Sequence, residues 1–503
     1  MKSIFGLVLH AVAVAVLAAC SSLSPFEGAL ETTPPPVKTG IWGEIEKVRR
    51  TDWQFPLNDG QTALDWRLRT IDSATQSIDL QSFLWKFDRV GTAVEDRLLA
   101  AADRGVSVRI LIDDSFIVGQ DRELAKLHLH ENVEYRIYNP YKRRTETVAS
   151  RFLLNLGEFR RLDHRMHNKS MVVDNQVAIV GGRNLADEYF GFDEKANFRD
   201  MELLLGGPVV EEISASFDEY WNDRWSFPVD SVARILRFTE KDVTTQDPAF
   251  SRRYPIETES SRNRKWLAVV DSAYAGRARL IVDAPPEETP QAVADRPVQV
   301  ANELQAYFDE AEDEIVIVSA YLIPTPIILE SLRDAVKRGV RVRLLTNSIN
   351  SNNHIAAYSA YRGHVRELLN IGAEVHELRA RAETRPRYIF LPSSSSMLLG
   401  LHAKYTVIDG RRVLIGSSNL DPRSLRINTE ILVAVESRGL ARQILTFTQP
   451  DFERVNAWQL SLGQDGAISW LGDGIRVNTE PAEHTFQRIE EWFFAHLPIE
   501  DEM

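Results

Sequence analysis

Hydrophobic and polar positions along this chain form a pattern that occurs twice. Apolar residues at helical spacing over 94–103 stop at Arg104-Gly105, and the β-branched run Val106-Ser107-Val108-Arg109-Ile110-Leu111 follows at once. In the second half the helical spacing over 329–337 stops at Arg338-Gly339 and gives way to Val340-Arg341-Val342-Arg343-Leu344-Leu345. A glycine just past the last helical position suits the left-handed residue that ends many helices, and the apolar run after it reads as a buried strand. Upstream strands match as well, Ile78-Asp79-Leu80-Gln81-Ser82-Phe83-Leu84 against Ile315-Val316-Ile317-Val318-Ser319-Ala320-Tyr321-Leu322. Strands alternating with helices predict an α/β architecture with a parallel or mixed sheet in each half. The 503 residues exceed what one core usually holds and suggest two domains of roughly 200 residues. A Pro-rich stretch from Pro285 to Pro297 lacks periodicity and reads as a loop just after a strand at 278–282, so the division falls earlier, between 230 and 275. We place the first domain at 41–265 and the second at 266–503.

The chemistry-bearing residues belong to the same repeat. His167-Asn168-Lys169-Ser170-Met171-Val172-Val173-Asp174 and His402-Ala403-Lys404-Tyr405-Thr406-Val407-Ile408-Asp409 share the form His-x-Lys-x4-Asp. They lie 235 positions apart (402 − 167), against 234 for the Arg-Gly pairs (338 − 104). Residues two apart on an extended strand share a face, so each histidine and its lysine are expected to point into one site. The aspartate opens a turn, Asp174-Asn175 or Asp409-Gly410, and a return strand follows at 177–180 or 413–415, a hairpin pattern. The return strands end in Gly181-Gly182-Arg183-Asn184 and Gly416-Ser417-Ser418-Asn419. Glycine lets the backbone approach a ligand closely, and an Asn amide can donate to a phosphate oxygen. Phosphoryl chemistry without a metal needs a nucleophile, a proton donor for the leaving alkoxide and cationic or polar donors for the phosphate oxygens. Two His, two Lys and two Asn supply that set. Each histidine is accompanied by a cation that would repel a divalent ion, so neither a metal site nor a cofactor is expected.

Charge sharpens the picture. A net charge of −13 argues against a surface built as a footprint for nucleic acid, while leaving room for a local basic pocket. Arg160, Arg161, His164 and Arg165 precede the first motif, and Arg379, Arg381, Arg385 and Arg387 the second, which reads either as a solvated surface or as a rim that attracts anions. The one cysteine, Cys20, excludes an intrachain disulfide. Lys2, an apolar stretch over 4–16 and Leu17-Ala18-Ala19-Cys20 have the layout of a secretory signal, and the small residues before the cysteine resemble the lipobox of bacterial lipoproteins. That resemblance implies a signal peptide at 1–19, cleavage before Cys20 and its lipidation, followed by a tether over 20–40. An uncleaved anchor is the alternative, although the stretch is short of the roughly 20 residues that spanning needs. Ser21 after the cysteine implies sorting to the periplasmic face of the outer membrane in a Gram-negative bacterium. Near the C-terminus Phe486, Ile489, Trp492 and Phe493 form an apolar stripe read as core packing or membrane contact. Residues 393–400, beside His402, read as a lid or a plain loop.

The duplicated motif resembles that of the phospholipase D superfamily, over most of the chain after the leader. Asn419-Leu420-Asp421-Pro422-Arg423-Ser424-Leu425-Arg426-Ile427-Asn428-Thr429-Glu430 looks like the extended second motif of bacterial cardiolipin synthases. Arg165-Met166-His167-Asn168-Lys169-Ser170 and Gly181-Gly182-Arg183-Asn184 resemble the cardiolipin synthase C type. The resemblance implies two tandem phospholipase D-like domains with the active site at their interface, and a metal-independent, two-step phosphatidyl transfer. It implies His167 as nucleophile, His402 as acid and base, and Lys169, Lys404, Asn184, Asn419 and Ser417 as phosphate holders. Asp174 and Asp409 would be positioning residues, and Asp200 and Glu430 would orient the histidines. Gly182 departs from the pattern, since many relatives place Ser there, and makes the two halves unequal. The implied partners are phospholipids, namely phosphatidylglycerol and phosphatidylethanolamine, and a membrane reached through Cys20. A hydrolase releasing phosphatidic acid and a nuclease use the same site and are the alternative functions. The acidic chain, the lipid anchor and the Asn-x-Asp-x-Arg-Ser signature count against the nuclease.

Overall fold

A computed structural model of the chain describes residues 23–145, 147–239, 250, 252–286, 298–392, 396–482 and 487. Among the described residues ten strands lie before residue 276: β1 (Trp53–Leu57), β2 (Ser77–Ser82), β3 (Ser107–Asp113), β4 (Val133–Tyr138), β5 (Ser170–Val173), β6 (Val177–Gly181), β7 (Ala196–Arg199), β8 (Glu202–Gly206), β9 (Ser226–Pro228) and β10 (Tyr274–Ala275). All but β7 form one sheet in the order β10-β1-β8-β6-β5-β2-β3-β4-β9. Eleven follow: β11 (Arg277–Val282), β12 (Glu314–Val318), β13 (Arg341–Asn347), β14 (Glu374–Leu378), β15 (Leu398–Leu401), β16 (Tyr405–Ile408), β17 (Arg412–Gly416), β18 (Ile431–Glu436), β19 (Ala457–Leu462), β20 (Ile468–Leu471) and β21 (Arg476–Val477). These, apart from β15, form the second sheet, β11-β18-β17-β16-β12-β13-β14-β19-β20-β21. The central runs β8-β6-β5-β2-β3-β4 and β18-β17-β16-β12-β13-β14 are the same arrangement. In each, three parallel strands adjoin an antiparallel hairpin, so the expected mixed α/β sheets are present twice.

The repeated helix-to-strand units form as the pattern predicts. The helix Arg89–Asp103 starts at Asp88, whose carboxylate accepts from the Gly91 amide, and buries Val90, Val94 and Leu98. It ends before Gly105, at φ +88°, just as the helix Pro326–Lys337 ends before Gly339, at φ +92°. Both glycines occupy the left-handed region that other residues avoid.

Two cores, each between a sheet and its covering helices, were expected; a third joins the halves. Val172, Val180 and Leu203 of the first sheet pack in one cluster with Val407, Val413 and Val433 of the second. The two hairpin regions therefore share one interior, and each such fully buried side chain contributes roughly 1.5–3 kcal/mol. The chain crosses from one sheet to the other at Gly276, between β10 and β11, later than the expected 265. The helix Glu259–Ser272 explains the difference: Trp266 packs edge-on against Trp42 and Trp66 at 5.1 and 5.0 Å and belongs to the first core.

Residues 23–38, expected as a tether, lie fastened along the first half. Thr33 donates to Asp79 and Asp218, Arg136 pairs with Glu31, and the Val37 amide donates to the Asp174 carbonyl. Pro34-Pro35-Pro36 have no N–H to offer a helix or sheet, in keeping with the tether reading, but the acidic and hydroxyl side chains around them find fixed partners.

Candidate functional site

Each His-x-Lys segment leads into a hairpin, β5-β6 or β16-β17, and precedes the strand instead of lying within it. The turns take left-handed backbone at Asp174 and Asn175 and at Asp409 and Gly410, as two-residue hairpin loops require. Asp174 accepts from the amides of Thr75, Gln76 and Ser77 at 2.9, 2.8 and 3.0 Å and from Trp42 Nε1 at 2.6 Å. Asp409 accepts from the amides of Glu312, Asp313 and Glu314 at 3.1, 2.8 and 3.2 Å. Both carboxylates therefore clamp the chain entering the central strand, β2 or β12, and neither bonds a histidine. Both stand at the hairpin turn where the sequence places them.

The histidine partners come from the opposite half. His167 Nδ1 lies 2.9 Å from both carboxylate oxygens of Glu430, and His402 Nδ1 lies 2.7 Å from Asp200 Oδ2. Backbone pairing across the halves sets this up. β15 pairs in parallel with β7, Met166 bridges Thr429, and the amides of His167 and His402 donate to the carbonyls of Thr429 and Arg199, each at 2.9 Å. Each histidine thus emerges beside the residue that precedes the other half's carboxylate. Lys169 and Lys404 turn their ammonium groups onto the carbonyls of His167 and His402, so histidine and lysine are coupled within each motif.

The site is buried, and burial governs its protonation. It lowers His167 to about 4 and His402 to about 3, with Lys169 and Lys404 adding to the effect on both histidines or on their own partner. Lys404 acts on His167 and Lys169 on His402, so the two motifs share one electrostatic field. Burial also lowers Lys169 to about 7 and Lys404 to about 8, against the pull of Glu430 and Asp200. For Glu430 and Asp200 burial alone would raise the pKa, but the imidazoles and lysines outweigh it and both stay below the usual carboxylate range. At neutral pH each carboxylate is ionised and each imidazole neutral, so Nδ1 donates and the Nε2 lone pair is left for chemistry. These values give an expected profile. Because the chemistry needs one imidazole neutral and the other charged, kcat/KM falls as pH rises above about 4, where both are neutral in the free enzyme, and falls more steeply above about pH 7 to 8 as the lysines lose their protons. A pH series on a soluble phosphodiester measures it, and a rate still climbing at pH 9 would exclude the lysines as charged phosphate holders.

Asn184 and Asn419 are buried, and the side-chain oxygen of each has no partner among the described residues. A half-turn of the amide presents its NH2, the group a phosphate oxygen accepts from. The Ser417 hydroxyl donates to Glu430 and so braces the carboxylate at Nδ1 of His167. Gly182, its counterpart, faces Asp200: a Cβ there would lie 2.3 Å from Oδ1, which instead accepts from the Met201 amide at 2.7 Å. The unequal halves thus have a physical reason, since the shorter aspartate sits over the glycine and uses the backbone donor where the glutamate uses a hydroxyl. Gly182→Ser is expected to push Asp200 off His402 and lower kcat about 10- to 100-fold, corresponding to a strain of about 1–3 kcal/mol. An unchanged kcat in a folded variant would show that Asp200 has room to move.

The basic clusters are mostly structural. Arg161 pairs with Glu158, His164 Nδ1 contacts the Ile427 carbonyl at 2.7 Å, and Arg385 donates to the carbonyls of Ala382 and Met397. Cys20, residues 393–395 of the lid segment and the stripe Phe486, Ile489, Trp492 and Phe493 lie outside the described residues. Sequence reasoning missed the aromatic walls: Phe83 stands edge-on to His167 at 4.8 Å, and Tyr189 edge-on to His402 at 4.8 Å. It also missed Arg183, which donates to the Asp200 carbonyl at 2.7 Å. None of the three has a counterpart at the repeat spacing, so no periodic signal marked them.

A family model described as "Cardiolipin synthase, PLD-like domain" matches residues 68–221 and 304–451. The chain is 33% identical over 462 residues to cardiolipin synthase C of Escherichia coli strain K12, spanning 89% of this chain and 95% of that one. It is 26% identical over 397 residues to cardiolipin synthase B of Shigella flexneri, spanning 79% and 78%. Among solved structures, the phosphatidylserine synthase of Haemophilus influenzae Rd KW20 superposes with a TM-score of 0.56 at 12% identity, over 90% of this chain and 97% of that one, a likeness of fold.

Proposed function

This chain belongs to the phospholipase D superfamily, among the cardiolipin synthases, and on that premise we propose that it is a phosphatidyltransferase acting through a phosphohistidine. One observation carries the reading: two imidazoles, each tied at Nδ1 to a carboxylate of the opposite half, share one field with two buried lysines. Nε2 of His167 attacks the phosphorus of a phospholipid. The phosphorus–nitrogen bond forms as the phosphorus–oxygen bond to the leaving headgroup breaks, and protonated His402 gives its Nε2 proton to that oxygen. With both histidines neutral in the empty site, His402 takes up the required proton from water as substrate binds, because a phosphodiester anion beside the imidazoles favours its charged form. Neutral His402 then takes the proton of an incoming hydroxyl, whose oxygen attacks the phosphohistidine and restores His167. Lys169, Lys404, Asn184 and Asn419 hold the phosphate oxygens. With phosphatidylglycerol supplying the hydroxyl and a second phosphatidylglycerol or phosphatidylethanolamine supplying the phosphatidyl group, the product is cardiolipin.

Cys20 is the lipidation point that holds the enzyme at a membrane, on the periplasmic face of the outer membrane. Among the described residues no helix is long and apolar enough to cross a membrane. The test is mass spectrometry of lipids after incubating the full chain with phosphatidylglycerol and phosphatidylethanolamine vesicles without added metal. Cardiolipin supports the transferase, phosphatidic acid alone turns the reading to hydrolysis, and no turnover of either lipid ends it.

A further inference from the structure

Four features on one face of the first half were not needed for the chemistry. Phe116, Leu153, Leu154, Leu156 and Phe159 are between 40% and 65% exposed. They are five of the thirteen large apolar side chains exposed among the described residues, a gathering that singly scattered exposure does not produce. Phe116, Leu156 and Phe159 also line a cleft of about 490 Å³ whose other walls include Phe83 and Arg165. Phe83, one wall of the cleft, packs edge-on to His167 at 4.8 Å, so a single side chain separates the cleft from that imidazole. Arg165, buried and with Nη2 unpartnered among the described residues, places a cation along it.

The surrounding charge opposes that of the whole protein. Residues 141–166 carry seven Lys or Arg against three Asp or Glu, and against five when Asp113 and Asp114 are counted, in a chain of net charge −13. Asp113 and Asp114 pair with Arg144, Arg151 and Arg165. The segment from Leu23 to Phe26 also runs along this face. The Leu23 amide donates to Glu158 Oε1 at 3.3 Å, and Phe26 packs against Phe227.

We propose that this face, built on 148–159 and Phe116, lies on an anionic phospholipid bilayer and draws the acyl chains of the donor lipid into the Phe83–Phe116–Phe159 cleft. The apolar side chains enter the interface and the exposed Lys142 and Arg160 meet lipid phosphates. The phosphatidyl group reaches His167 without leaving the membrane surface as a whole lipid. This rests on the phospholipid substrate of the proposed function, but the docking face is tested separately.

The full chain has a single cysteine, so Cys20→Ser/Leu154→Cys carries one thiol for an environment-sensitive fluorophore, and Cys20→Ser/Lys337→Cys labels the second half. On vesicles of phosphatidylglycerol and phosphatidylcholine the label at 154 is expected to shift to the blue and to be quenched by spin-labelled acyl chains, while that at 337 is not. An aqueous spectrum at 154 on vesicle-bound protein, an equal shift at 337, or a shift at 154 without lipid because two copies of the chain meet there would each overturn the proposal. Leu153→Glu/Arg160→Glu is further expected to lower turnover of vesicle lipid at least about 10-fold and to leave turnover of a monomeric short-chain diester unchanged. Equal loss on both substrates would count against docking. The label reports position and not turnover, so a protein that docks without turning over lipid would sink the proposed function alone.

Discussion

Alanine at His167 is expected to abolish transfer, by at least about 10,000-fold in kcat, because removing a covalent nucleophile leaves only the binding and electrostatic parts of the site. The protein should still fold. His167 is tied to Glu430, and Ser417 still donates to that carboxylate when the imidazole is gone, so the loss in stability stays near 1–3 kcal/mol. The measurement is the vesicle assay with circular dichroism as a control for folding. A folded His167→Ala enzyme that still makes cardiolipin would assign the attack to another group.

The second large effect follows from the crossed carboxylates. Glu430→Gln and Asp200→Asn keep shape but remove the charge that holds each imidazole in the Nδ1–H tautomer, and each is expected to cost about 1,000- to 10,000-fold in kcat, as loss of the orienting carboxylate does in histidine-based triads. The two variants then separate on a p-nitrophenyl phosphodiester, whose leaving group needs little protonation. Asp200→Asn and His402→Ala recover much of the first step there, and phosphohistidine accumulates on His167 because the base for the second step is lost. Glu430→Gln and His167→Ala recover nothing. Recovery of the Glu430 and His167 pair instead would reverse the roles of the two histidines.

Much of this arrangement is legible in the chain. The repeat spacing of 235 marks two equivalent hairpins, and the Gly105 and Gly339 helix ends and the Asp-Asn and Asp-Gly turns take the backbone that those residues favour. Such features are local, decided within a few residues by sterics and by the alternation of apolar side chains. The boundary was less legible, because Trp266 lies on a helix whose allegiance to Trp42 and Trp66 depends on contacts far away in sequence. The segment 23–38 was read as loose for the same reason, its partners Asp79, Arg136 and Asp218 being remote.

The sequence by itself determined the fold class, the duplicated motif and the residue types that meet in the site, since each follows from periodicity and short-range chemistry. Only the tertiary structure decided which carboxylate serves which histidine. Asp200 and Glu430 look equally suited to either imidazole in the chain, and the choice is made by the parallel pairing of β7 with β15 and of Met166 with Thr429 across the two halves. It also decided that Ser417 braces Glu430 and that Gly182 gives way to Asp200. Contacts between residues more than 200 positions apart carry no periodic signature, because they are set by how two sheets bury one shared core.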